Sequence, residues 1–196
     1  MLAASPHRFG EVRHQDTDAI IVPKNTSERR NYITAGFISA DCIISDLAFA
    51  VFNAKPYIFS ILSSRLHYIW GASVGGRFKT DPRYSNTLVF NTFPLPGISE
   101  SQKSELEECA WRIIAAREHN AGKTIGDLYD PDTMPENLLQ AHNELDETLE
   151  RIYIGRPFKN DTERLEHLFK LYANMIKKEQ AAKAPKQQRF ISKGAN

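Results

Sequence analysis

The chain has 196 residues, 41% hydrophobic and 25% charged, enough for one large domain or two small ones around a genuine core. Its formal net charge of +1 lacks the strongly basic balance of a stand-alone nucleic-acid binder. Two cysteines, Cys42 and Cys109, exclude a disulfide framework and a cysteine-built zinc site, and no apolar run approaches the roughly 20 residues that span a membrane.

The start, MLAASPHRFGEVRH, lacks the apolar centre of a signal peptide. The expected setting is therefore the reducing cytoplasm, with Cys42 and Cys109 as buried free thiols and no membrane partner. Charge divides unevenly along the chain. Residues 1–97 carry 10 Lys and Arg against 7 Asp and Glu, whereas residues 98–196 carry 15 against 17.

The chain divides near Pro94–Ser99. Ahead of it, Ala19–Val22, Cys42–Ser45, Ala48–Phe52 and Thr87–Phe90 are rich in Ile, Val and Phe between turn residues, which predicts strands. Pro56–Trp70 predicts one helix. Proline suits its first position, Ile58, Leu62, Leu66 and Ile69 recur at helical spacing, and Gly71 is a natural stop. Beyond the divide, Ser99 with Gln102 forms a capping box ahead of the stripe Leu106, Cys109, Ala110, Ile113 and Ile114. Thr133 with Glu136 predicts a second helix, with Leu138, His142, Leu145, Leu149 and Ile152 on one face. Asn160 with Glu163 predicts a third, with Leu165, Leu168, Phe169, Tyr172 and Ile176. The fold class is α+β, a mixed domain over 1–97 and a small helical bundle over 98–196 that ends in a basic tail, Lys177–Asn196.

Catalytic motifs are missing. The sequence has no G-x-G-x-x-G, no G-x-x-x-x-G-K, no H-E-x-x-H and no G-x-S-x-G. Asn91-Thr92-Phe93-Pro94 shares letters with the Asn-Pro-Pro-aromatic motif of adenine methyltransferases but lacks its adjacent prolines. His142 and Asp146, four apart, suit a metal or an acid–base pair, although their Leu neighbours make a packed or solvated helix pair the plainer reading. Cys42 beside Asp41 has no nearby histidine to act as a base.

The stretch from Ser63 to Pro96 is different. SSRLHYIWGASVGGRFKTDPRYSNTLVFNTFPLP sets Arg65, Arg77, Lys79, Asp81 and Arg83 around a glycine turn, with Trp70, Tyr84 and Phe90 between them. Arg and Lys donate to guanine O6 and N7, Asp accepts from the cytosine amino group, and neighbouring cations hold phosphate. By residue types alone, a solvated loop with ion pairs remains the more ordinary reading.

The same stretch resembles the end of the target-recognition domain in MmeI-like fused restriction–modification DNA methyltransferases. There the run reads "SS.MH..W....GR..SD.RYS...VYN.FP.P". Ser63, Ser64, His67, Trp70, Gly76, Arg77, Asp81, Arg83, Tyr84, Ser85, Asn91, Phe93, Pro94 and Pro96 fit it. PHRFGEVR, IIVPKNTSERRNYITAGFI and ISDLAFAV are similar to earlier segments of that domain, and DLYDPDTMPENLLQAHNELDETLERIY to the helical segment after it. The resemblance implies the C-terminal fragment of an adenine-N6 methyltransferase. Double-stranded DNA and the methyltransferase core of the same polypeptide would be its partners. S-adenosylmethionine would sit in that core, with Mg2+ if the parent also cleaves. It further implies base reading by Lys24, Asp46, Leu47, Lys79, Asp81 and Arg83. Arg29, Arg30, Arg65 and Arg77 suit phosphate by residue type. A helical protein-interaction module without DNA reading is the alternative, and an independent small enzyme the third reading.

Overall fold

The structure is a computed structural model that describes residues 14–183. The segment PHRFGEVR and most of the basic tail lie outside the described residues. Three strands form an antiparallel sheet in the order β2-β1-β3: β1 (Ala19–Pro23), β2 (Gly36–Ile38) and β3 (Ala48–Phe52). β1 is the centre because its β-branched residues serve the core, with Ile20 and Val22 fully buried. Ile20 sits opposite Phe37 on one side and Val51 on the other.

Helices α1 (Pro56–Leu62) and α2 (Arg65–Val74) follow. The single helix expected over Pro56–Trp70 is broken at Ser63–Ser64. Ser64 takes an extended conformation and its hydroxyl accepts from the His67 amide (3.2 Å), so it caps a new helix rather than continuing the old one. α2 also runs past Gly71 to Val74. Gly71 is selected by space, since a Cβ there would meet the Val89 side chain at 3.2 Å.

A two-residue hairpin comes next, β4 (Gly76–Phe78) with β5 (Asp81–Arg83). The strand expected over Thr87–Phe90 is instead a π-helical turn, Asn86–Phe90. The Ser85 hydroxyl accepts from the Leu88 amide, the Asn91 amide donates back to the Asn86 carbonyl, and only Val89 is buried. Side-chain acceptors at Ser85 and Asn86 offered the backbone local partners, and helical turning won over β propensity. Cys42–Ser45, also expected as a strand, is an irregular loop. The Cys42 amide turns back to the Ser39 carbonyl, and Asp18 holds the Ala40 amide, which diverts the chain away from the sheet. Cys42 is therefore exposed rather than buried, while Cys109 is buried.

The rest is helical: α3 (Glu100–His119), α4 (Ile125–Leu128), α5 (Glu136–Ile154) and α6 (Asp161–Lys183). The Ser99–Gln102 capping box forms in both directions. Asn160 accepts from the Glu163 amide (3.0 Å) at the start of α6. Thr133 does not cap α5. Its hydroxyl donates to the Asp127 carbonyl, and α5 begins after Pro135. Gly155, in the left-handed region at φ 75°, ends α5 with its amide on the Arg151 carbonyl.

One hydrophobic core runs through both halves of the chain. It links Ile20 and Val22 of the sheet with Phe59, Leu66 and Trp70, and these with Leu106, Ile113, Leu145 and Leu168 of the helices. Trp70 lies between both halves, with ring centroids 5.1 Å from Phe169 and 5.5 Å from Tyr172 of α6. No described helix is long and apolar enough to cross a membrane.

Gly75 joins α2 to the hairpin at the closest backbone approach in this region. A Cβ there would stand 2.5 Å from the Gly71 carbonyl oxygen and 2.9 Å from that of Arg83, whereas a Cβ at Gly76 meets nothing. Gly75→Ala should cost about 1–3 kcal/mol of stability through overpacking, and Gly76→Ala should leave stability near wild type. Urea denaturation of the two variants checks this, and equal midpoints would refute it.

Candidate nucleic-acid interface

Three segments that are far apart in sequence are stitched together by backbone hydrogen bonds. The Lys24 amide donates to the Leu47 carbonyl (2.9 Å), the Tyr84 amide to the Lys24 carbonyl (2.7 Å) and the Thr26 amide to the Pro82 carbonyl (3.1 Å). Asp81 Oδ1 accepts from the Glu28 amide (3.0 Å), which fixes one carboxylate oxygen and orients the side chain. The geometry thus brings Lys24, Leu47, Asp81 and Arg83 into one neighbourhood. Asp46 precedes Leu47 on the exposed loop.

The pleat of the hairpin decides which side chains face water. Phe78 pairs with Asp81 and Gly76 with Arg83, so these four share a face. On that face Phe78 and Arg83 are exposed and Asp81 is half-buried, while Pro82 and Tyr84 on the alternate positions are buried. Lys79 is exposed at the hairpin tip, the first of its two turn residues, with φ 58°. Glycine is the usual occupant of such a position. A lysine held in the left-handed region is a strained choice of the kind that marks functional sites. The face thus carries cations, one oriented carboxylate and an exposed aromatic ring on a fixed backbone. Its donors and acceptors are of the kinds that base edges present partners for.

The residues expected to hold phosphate are not equivalent. Arg77 is exposed on the alternate face of the hairpin, opposite Pro82, and its guanidinium donates to the Thr80 carbonyl (2.7 Å), which steadies the turn. Arg30 is half-buried near α4. Arg29 is paired with Asp132 (2.5 Å) and lies 3.6 Å from Asp130. Arg65 is held by partners outside the hairpin. Its guanidinium donates to Asp161 (2.5 Å) and to the Asn31 carbonyl and side chain (3.0 and 2.9 Å), so the geometry gives it a structural task. Burial alone would raise the Asp161 carboxyl, but Arg65 and Arg164 together hold it below the ordinary range.

Behind the face stands a buried polar frame. His67 Nε2 and the Tyr84 hydroxyl are 2.8 Å apart, which ties α2 to the end of the hairpin. Asp146 on α5 accepts from the Arg65 amide (2.7 Å) and from the Tyr32 hydroxyl (3.1 Å). The Tyr32 ring stacks on His142, 4.0 Å between centroids, and His142 Nε2 lies 2.8 Å from the Tyr129 hydroxyl. His142 and Asp146 are therefore packed together in a docking network. Among the described residues no group of three or more His, Cys, Asp or Glu is placed to hold a metal. Sequence reading missed Tyr32 and the role of Asp146. The available signal was a lone His and a lone Asp one turn apart on an otherwise leucine-rich face.

The chain is similar to known proteins in sequence and in fold. Residues 1–97 match the family described as "MmeI, target recognition domain", and residues 98–179 match "MmeI, C-terminal domain". DNA methyltransferase A of Bacillus subtilis (strain 168) is 43% identical over 177 residues, which is 90% of this chain and 20% of that protein. The solved structure of the Type IIL restriction-modification enzyme MmeI in complex with DNA superposes with a TM-score of 0.86 at 36% identity. That match covers 90% of this chain and 24% of the MmeI chain. Fold and family matches together define a target-recognition segment of the restriction–modification class. The chain belongs to the MmeI family, as its target recognition domain continued by its C-terminal domain. It spans about one fifth of the length of the curated relative it matches.

The buried frame gives stability a defined pH dependence. Burial pushes the His67 and His142 rings from 6.5 down to about 3. Below pH 6.5 the unfolded chain takes up protons on both rings that the folded chain refuses until about pH 3. Stability therefore falls with pH over that window, by at most about 1.4 kcal/mol per pH unit per ring. Asp146 works the other way. Burial raises its carboxyl from 3.8 to about 7 despite the hydrogen bonds from Arg65 and Tyr32. Its contribution is fully present below about pH 4 and is lost as pH rises through 7, so it offsets one ring between pH 4 and 6.5. Asp146→Asn should steepen the acid loss of stability in that window. Urea midpoints from pH 4 to 7 test this, and parallel profiles for variant and wild type would refute it.

Proposed function

We propose that this chain reads the DNA target of a restriction–modification adenine-N6 DNA methyltransferase, acting as one part of a longer polypeptide in the cytoplasm. The observation that carries this reading is the outward hairpin face. It sets Lys79, Asp81 and Arg83 on a backbone clamped to the Lys24 and Leu47 segments, in a chain of the MmeI family. The named relatives are a DNA methyltransferase and a restriction–modification enzyme seen with DNA.

In this reading Lys79 donates to a guanine and Asp81 accepts from the amino group of its paired cytosine, so one base pair is read from both partners. Asp81 supplies the orientation, because the Glu28 amide holds one of its oxygens. Lys24, Asp46, Leu47 and Arg83 read neighbouring positions. Arg77 and Arg30 hold phosphate. Arg29 reaches phosphate only by exchanging its exposed carboxylate partners, a modest cost for surface pairs. The methyltransferase core elsewhere in the polypeptide binds S-adenosylmethionine and receives the flipped adenine, and Mg2+ serves cleavage if the parent also cuts.

Swapping the polarity of the pair, Lys79→Glu with Asp81→Arg, should change the base accepted at one position of the site and leave the others intact. The wild-type pair should discriminate by about 1–3 kcal/mol at that base pair. Methylation-site mapping of the full-length enzyme tests this. An unchanged site in the double variant would remove both residues from base reading.

Binding by the isolated chain should be weak and steeply salt-dependent, because most of the affinity of such faces comes from phosphate. Arg77→Ala should weaken binding to all sequences equally and lower the slope of log affinity against log salt by about 1. Titration of a labelled duplex across a salt series measures both, and affinity indifferent to salt would contradict the assignment.

A further inference from the structure

The segment Lys24–Thr26 lies against β5 through a single antiparallel bridge. Hydrogen bonds join Thr26 to Pro82 and Tyr84 to Lys24, and Asn25 faces Arg83 between them. Because the hydrogen bonds fall on the flanking residues, Asn25 and Arg83 are a non-hydrogen-bonded antiparallel pair. Side chains of such pairs stand closest, with Cβ atoms about 4.5–5.5 Å apart on one face.

Burial identifies the face. Thr26, Pro82 and Tyr84 are buried, whereas Asn25 and Arg83 are both exposed. On its other flank Arg83 is opposite Gly76, which has no side chain. Arg83 thus has one side-chain neighbour across the ladder, and that neighbour is Asn25. Among the described residues, neither the Asn25 carboxamide nor the Arg83 guanidinium meets a hydrogen-bond partner. Lys24 is placed differently. Its ammonium lies 5.2 Å over the Phe49 ring, and the residue is half-buried.

We propose that Asn25 is a further base-reading residue, whose carboxamide takes an adenine edge in the major groove next to the base read by Arg83. The inference rests on the target-recognition reading above. A carboxamide offers one acceptor and two donors in a plane, which matches the adenine N6 amino group and N7 together. Its neighbour's guanidinium fits guanine O6 and N7 in the same bidentate manner. Side by side on one rigid ladder, the two are spaced to address adjacent bases of the groove. The exposed amide caps no helix and holds no turn, so its removal leaves the backbone ladder intact.

The test is selection of a randomised duplex library by the full-length polypeptide, comparing wild type, Asn25→Ala, Asn25→Ser and Arg83→Ala. The expected result is that both Asn25 variants lose a preference for adenine at one position, from about tenfold or more to within about twofold. The other positions, including the one altered by Arg83→Ala, stay as in wild type. If Arg83→Ala relaxes a position while both Asn25 variants select the wild-type site, Asn25 is not a reader and the target-recognition reading stands. Uniform weakening across all sequences would make Asn25 a phosphate contact and overturn the proposal. If neither Arg83→Ala nor the Asn25 variants alter selection, the hairpin face itself is not the reading surface and both readings fall. Thermal melting accompanies each variant. The serine variant keeps a small polar side chain at an exposed strand position, so loss of selection there cannot be ascribed to unfolding.

Discussion

A buried carboxylate at the start of a helix holds this structure in register. Asp146, deep on α5, accepts from the amide of Arg65, the first residue of α2, and from the Tyr32 hydroxyl. The first amides of a helix have no internal partners, and the Asp146 carboxyl oxygen supplies one for Arg65. α2 is therefore seated against the helical half at its N-terminus. From there the constraint travels along α2. His67 meets Tyr84, Gly75 brings the helix end against the Arg83 carbonyl, and the hairpin that carries Asp81 and Arg83 follows. The outward face is thus tied, through α2, to a buried interaction with the helical half.

The boundary between the two matched families is crossed by more polar contacts than a purely hydrophobic core requires. Arg117 donates to the Ala35 carbonyl, Arg65 to Asp161, and the Ser60 hydroxyl to the Leu106 carbonyl. Within the helical half, half-buried Arg164 pairs with buried Glu150 at 2.7 Å and also with Asp161, the partner of Arg65. Such groups are costly to bury and add little net stability against an apolar replacement. Their geometry, however, is directional. An apolar interface tolerates small slides, whereas the hydrogen bonds of a frame of carboxyls, phenols and imidazoles form in one arrangement only. For a surface that must present side chains to fixed positions along a groove, that rigidity is the useful property.

How much of this was legible in the sequence depended on whether the signal was local. The α3 capping box, the β1 and β3 runs and the three long helices were readable, because caps and apolar periodicity act over a few residues. The failures share a different cause. Ser63–Ser64 and Ser85–Asn86 carry side chains that compete for neighbouring amides, and each overrode a periodic pattern, splitting one helix and coiling one expected strand. β2 is three residues long and exists only because β1 pairs with it. At the site, Lys79, Asp81 and Arg83 were visible as a cluster because the hairpin is local. Arg65 sits in that same sequence stretch, yet its charge is matched by Asp161, a partner 96 residues away. Residue type named a cation, but only the fold could say what it faces.

The division of labour between backbone and side chain explains how such a face can carry information. The hydrogen bonds that join Lys24 to Leu47 and Tyr84, and Thr26 to Pro82, are made by main-chain groups, which no substitution at those positions removes unless it introduces proline. The side chains that point outward, Arg83 and Phe78 among them, lie away from the core. Replacing one alters which donor or acceptor is offered without disturbing Val89, Tyr84 or Trp70 beneath. Asp81 and Lys79 are the partial exceptions. Asp81 also binds the Glu28 amide, and Lys79 occupies a turn geometry that most residues resist. Changes at those two positions couple chemistry to backbone, so acceptable replacements there are fewer than exposure alone implies.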